Sequence, residues 1–151
     1  ALYGKGNALM QTQQFDAAVV PLTEMLRMYP NHVLASEATL ARGIARRNLG
    51  QIAEAGKDLQ NFLETKPTGI SLGHALYEAA LIDQKNKQPD RAASKLEELM
   101  RRVPDYPPMD EVLYELGWSL QESDKESDAI KSFAKLVKEH PTSPLLAESA
   151  Y

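Results

Sequence analysis

Residues 110–141, DEVLYELGWSLQESDKESDAIKSFAKLVKEHP, hold two amphipathic patterns separated by a polar break. Over 110–122 the apolar side chains fall at Val112, Leu113, Leu116 and Leu120, the i, i+3, i+4, i+7 spacing of a helix with one buried face. Ser123 to Ser127 interrupt the pattern. A second helix then presents Ala129, Phe133, Leu136 and Val137 on one face, and Pro141 ends it, because proline cannot continue the hydrogen-bond ladder and disfavours helical geometry in the residue before it.

Working backwards from Pro141, proline recurs at 104, 67 and 30, a spacing of 37 residues each time. Alanine keeps the same phase at 129, 92, 55 and 18. Gly117, Gly43 and Gly6 keep it too, with Ala80 in the remaining slot. Three residue types locked to one period mark an internal repeat. The units run over about 1–30, 31–67, 68–104 and 105–141, and residues 142–151 open a fifth unit or a capping helix. The earlier second helices repeat the apolar stripe as Ala18, Leu22, Met25 and Leu26, then Ala55, Leu59, Phe62 and Leu63, then Ala92, Leu96, Leu99 and Met100.

A glycine inside a helix costs up to about 1 kcal/mol relative to alanine, so a recurring one needs a packing reason. Here the phased glycine is expected to face the small alanine of the second helix, bringing the two backbones together. Pro21 falls inside the second helix of the first unit, which should kink or start late. Pro107 and Pro108 precede the first helix of the fourth unit, where proline is tolerated.

These positions resemble the tetratricopeptide repeat over nearly the whole chain. In the fourth unit the motif's leucine, glycine, alanine, aromatic and proline fall on Leu116, Gly117, Ala129, Phe133 and Pro141. The other units depart from it: Lys5 and Arg42 stand where Leu116 stands, and Arg46 and Asp83 where Leu120 stands. The resemblance implies an all-α fold, a right-handed α-solenoid of helix-turn-helix units. The 37-residue period, with proline followed by small polar residues, is similar to repeats of bacterial envelope proteins. Among these are the Tol-Pal-associated periplasmic protein and the outer-membrane assembly lipoproteins. A bacterial periplasm or cell envelope is therefore the expected location, with the cytoplasm as the alternative.

Composition narrows the function. The formal charge is −4, and no basic face of the kind nucleic-acid binders carry is concentrated in the sequence. Residues 1–75 carry 7 basic and 6 acidic side chains, residues 76–151 carry 10 and 15, so the second half is the acidic one. There is no cysteine, which removes disulfides and thiolate chemistry. No apolar run approaches the ~20 residues of a membrane span. The chain starts without methionine and in phase with its repeat, so both ends read as cuts in a longer protein.

No constellation points to an enzyme, and no cofactor or metal is expected. His32, His74 and His140 are the only histidines. His74 and Glu78 lie one helical turn apart, but two ligands do not make a zinc site, and a solvent-facing pair is the better reading.

In tetratricopeptide arrays the first helices line a concave groove. The residues three before and one after each phased small residue are Tyr3 and Asn7, Leu40 and Ile44, Tyr77 and Leu81, then Tyr114 and Trp118, with Tyr151 restarting the series. Such a ladder suits a protein or peptide segment with apolar anchors. The tyrosines fit packing between neighbouring helices equally well, whereas Trp118 reads as exposed. Glu78, Glu111, Glu115, Glu122 and Glu148 make the later part of the groove acidic and favour basic residues in the partner. The lysine, asparagine and arginine set with which some family members grip a C-terminal carboxylate matches only at Asn7.

The leading expectation is thus a non-enzymatic scaffold that binds a protein or peptide. The alternatives are a regulatory or targeting module of a larger enzyme, and a self-assembly module forming homo-oligomers through its repeat ends. Leu145, Leu146 and Tyr151 are expected to cover the last full unit, since a bare solenoid end would aggregate.

Overall fold

The computed structural model describes residues 1–147, in which every regular element is helical. Two bodies divide the chain, Ala1–Ser71 and the residues from Leu72 onward. The first holds α1 (Leu2–Gln11), α2 (Phe15–Met28), α3 (Ala35–Asn48) and α4 (Ile52–Glu64). Helix α5 spans Gly69–Lys85, with its residues from Leu72 onward belonging to the second body. There it is followed by α6 (Pro89–Arg102), α7 (Met109–Glu122), α8 (Glu126–Glu139) and a 3-10 turn over Pro144–Ala147. In the first body α2 packs between α1 and α3, and α3 also packs on α4. In the second, α7 packs between α6 and α8.

The apolar stripes read from the sequence form the cores. Ala18, Leu22 and Met25 are buried on α2, Ala55, Leu59 and Phe62 on α4, Ala92, Leu96 and Leu99 on α6, and Ala129 and Leu136 on α8. Val137 departs from the expected face and is exposed.

Each hairpin turns by the same device. The residue after the first helix's C-cap takes a left-handed conformation: Gln13 (φ 56°), Gly50 (75°), Lys87 (57°) and Asp124 (59°). The next amide donates to a carbonyl five residues back, Gln14 to Leu9, Gln51 to Arg46, Gln88 to Asp83 and Lys125 to Leu120, at 2.8–2.9 Å. This is the Schellman closure, which satisfies carbonyls the helix leaves over. Only one of the four is glycine, so the motif is invisible to a search for Gly.

The phased glycines have a different partner from the expected alanine. A methyl on Gly6 would fall 2.6 Å from Leu22 Cγ, one on Gly43 3.1 Å from Asp58 Cβ and 3.3 Å from Leu59 Cγ, and one on Gly117 would enter the ring of Phe133. The space therefore serves the large residue 16 positions on, one turn beyond the alanine. Pro21 does not make α2 start late: the helix runs from Phe15 through Pro21 to Met28, with the proline buried.

Candidate functional site

Three of the departures from the leucine columns, Arg42, Arg46 and Asp83, turn out to be paired. On α3, Arg42 grips Asp58 of α4 with a two-point fork, Nε to Oδ2 at 2.9 Å and Nη2 to Oδ1 at 2.7 Å, and Arg46 Nη1 adds a bond to Oδ2 at 2.8 Å. Asp58 is 2% exposed. On α5 the sign is reversed: Asp83, also buried, accepts from Lys95 of α6, and Arg91 Nε lies 3.9 Å away.

The first-helix face of the second body is built by α5 and α7. Tyr77 Oη donates to Glu111 Oε2 at 3.2 Å, and two turns along Gln84 Nε2 donates to Glu115 Oε2 and Ser119 Oγ, both at 2.9 Å. Beside this seam lies a cleft of about 220 Å³ lined by Tyr77, Asp110, Glu111, Tyr114, Glu115, Pro144 and Leu145. Its far wall is held by Ser143, whose Oγ donates to Asp110 Oδ2 at 2.7 Å. Burial raises the Glu115 carboxyl above its ordinary value, Glu111 and Glu122 push it the same way, and the bond from Gln84 opposes them. Burial likewise raises the Tyr77 hydroxyl, reinforced by Glu111, Glu115 and Glu78.

Of the residues expected in the groove, Tyr77, Glu111, Tyr114 and Glu115 meet at this cleft. Glu78, Leu81 and Trp118 are half-buried outside its lining, and Glu122 is exposed. Trp118 is less open than expected. Its ring stands edge-on to Phe133 (centroids 5.7 Å) and Tyr114 (6.1 Å), and its indole nitrogen is buried with no hydrogen-bond partner among the described residues. In the first body Tyr3, Asn7 and Ile44 are half-buried. Leu40 corrects the expectation outright: at 4% exposure it is core. Tyr77 and Tyr114, in the same phase, are half-buried, as a longer side chain with a polar tip allows. Leu145 and Leu146 are half-buried in the turn that packs on α7, while Glu148 and Tyr151 lie outside the described residues.

Sequence reading missed Tyr106. It sits in the α6–α7 connection, 3% exposed, against Gly73 of α5, edge-on to His74 (5.5 Å) and near Tyr77 (6.5 Å). No periodicity covers a connection; the one available signal was Gly73, whose missing side chain makes room for the ring. Among the described residues no group of three or more His, Cys, Asp or Glu side chains could hold a metal, and no helix is long and apolar enough to cross a membrane.

Paired helices of recurrent length, closed by the same turn and packed through the same glycine and alanine columns, define a tetratricopeptide-repeat protein. More particularly, the chain belongs to the YfiO family of outer membrane lipoproteins, whose family model matches residues 1–150. No curated protein matches the sequence. Among solved structures, MamA (residues 41 to the end) from Desulfovibrio magneticus RS-1 is similar at 20% identity and a TM-score of 0.79, over 95% of this chain and 76% of that one. A tetratricopeptide repeat protein from Parabacteroides merdae aligns at 18% identity and 0.80, over 98% and 56%. YrrB, described as a TPR protein with an unusual peptide-binding site, aligns at 17% and 0.76, over 93% and 68%. At these identities the likeness is one of fold.

Proposed function

We propose that the chain is a non-enzymatic scaffold of the bacterial cell envelope that holds a segment of another protein against the face of α5 and α7. The observation that carries this reading is the cleft itself. Two tyrosine rings, Pro144 and Leu145 offer apolar surface, and Asp110, Glu111 and Glu115 offer negative charge within the same 220 Å³. Apolar anchors supply affinity, while charge guides orientation and on-rate. The partner segment accordingly carries apolar residues next to lysines or arginines. The family match supports the envelope, and peptide binding by YrrB, a protein of the same fold, supports the mode.

The test is a selection of peptides from a random library, read out by Trp118 emission and by affinity. Selected peptides should be apolar and basic, and Tyr114→Ala should weaken them by about 1–2 kcal/mol with the melting temperature of the variant as control. Replacing Glu111 and Glu115 with glutamine should slow association and flatten its salt dependence. Peptides that bind both variants as tightly as the parent, with Trp118 emission unchanged, would place the site elsewhere.

A further inference from the structure

In each helix pair two phased positions lie 12 residues apart: Leu9 and Pro21, Arg46 and Asp58, Asp83 and Lys95, Leu120 and Ser132; the inner two are in contact. The outer pairs are uncharged. The two inner pairs are charged and wired in opposite senses, cation on the first helix in α3–α4 and anion on the first helix in α5–α6. Both aspartates are buried, so both pairs bear a desolvation cost that a leucine pair would avoid. Apolar packing, meanwhile, hardly distinguishes α4 from α6. Ala55, Leu59 and Phe62 on one match Ala92, Leu96 and Leu99 on the other, at the same spacing and on helices of 13 and 14 residues.

We infer that the oppositely wired pairs are a register code, which makes α3 accept α4 and reject α6, and makes α5 accept α6 and reject α4. In the wrong pairing Lys95 would meet Arg42 and Arg46, and Asp58 would meet Asp83. Each would bury like charges together, the repulsive element that specificity between near-identical surfaces requires. Repeat proteins are prone to such mispairing, within one chain or between two copies, because every unit offers a similar apolar face. Unit individuality is thus written in charge, in columns that the fourth unit fills with leucine and serine.

The test is refolding from denaturant at rising protein concentration, with the monomer fraction read by light scattering after size exclusion. In one variant, Asp83→Arg with Lys95→Asp and Arg91→Ala, the last removing the cation that lies 3.9 Å from Asp83, each pair stays complementary but both now have the same sense. Its monomer fraction should fall several-fold below the parent's, with oligomers in its place. In a second, Arg42→Ala, Arg46→Asp and Asp58→Lys are added, so the pairs again oppose each other with their senses exchanged, and the monomer fraction should recover. A first variant that refolds to the parent's monomer fraction overturns the code. So does a second variant that is no better than the first, including the case where neither folds, since the charges would then matter only for their local fit.

Discussion

The pairs α3–α4 and α7–α8 occupy the same frame and use charge in opposite ways. In α3–α4 the charge is inside: Arg42 and Arg46 close on Asp58 where α7–α8 has Leu116, Leu120 and Ser132, the last bonded to the Leu113 carbonyl at 2.8 Å. In α7–α8 the core is apolar and aromatic, and the carboxylates Glu111 and Glu115 stand on the outer side of α7 beside the cleft. The shared columns of alanine, leucine and glycine hold both hairpins together. What differs between them is free to serve pairing in one and recognition in the other.

The largest effect should come from breaking the inner charge cluster. Asp58→Ala strands two partly buried guanidinium groups and should cost about 2–4 kcal/mol in chemical denaturation. Asp83→Ala should cost less, about 1–3 kcal/mol, because Lys95 and Arg91 retain more solvent access and their stems can turn outward. Converting the cluster to its α7–α8 equivalent, Arg42→Leu with Arg46→Leu and Asp58→Ser, should leave stability unchanged or higher. A large loss in that triple variant would mean that the two hairpin cores are not interchangeable.

A smaller effect tests the shared frame. Gly117→Ala drives a methyl into the Phe133 ring and should destabilise by about 1–3 kcal/mol. Gly4→Ala meets open space on α1 and should stabilise by up to about 1 kcal/mol. Equal melting shifts for the two would remove the close approach as the reason for the glycine column.

Smallest is the effect at the outer carboxylate. The folded protein raises the Glu115 carboxyl, chiefly by burial, so its charge is held at a cost once the pH exceeds the ordinary value of 4.5. Stability is therefore lost as pH rises from there through the raised folded value. Glu115→Gln should be more stable than the parent at pH 7, by less than about 1 kcal/mol, and the gap should close below pH 4.5. A parent that is the more stable at neutral pH would show that the charge is stabilising in place.

The fold was legible because three residue types kept one period, and helix limits followed from Pro30, Pro67, Pro104 and Pro141. The hairpin closure was not, since Gln13, Lys87 and Asp124 take the left-handed turn without being glycine. Arg42, Arg46 and Asp83 were visible as intruders in leucine columns, but their partners sit 12 or 16 residues on in the second helix and emerge only when the two helices are set side by side. At the cleft, Tyr77 and Tyr114 were legible from their phase, and Glu111 and Glu115 from their places near them in the sequence. Leu40 was misplaced because phase fixes a direction, while side-chain length decides whether a tip reaches solvent. Tyr106 was illegible, being packed from a connection that carries no pattern.

The reading of α5 and α7 as the recognition face is tested most directly by mapping a selected basic, apolar peptide onto the protein by amide chemical-shift changes. The account predicts that the perturbed amides cluster at Tyr77, Asp110, Glu111, Tyr114, Glu115 and Leu145, and fade when Glu111 and Glu115 are glutamine. Perturbations confined to residues 1–71, or to the outward sides of α6 and α8, would contradict it.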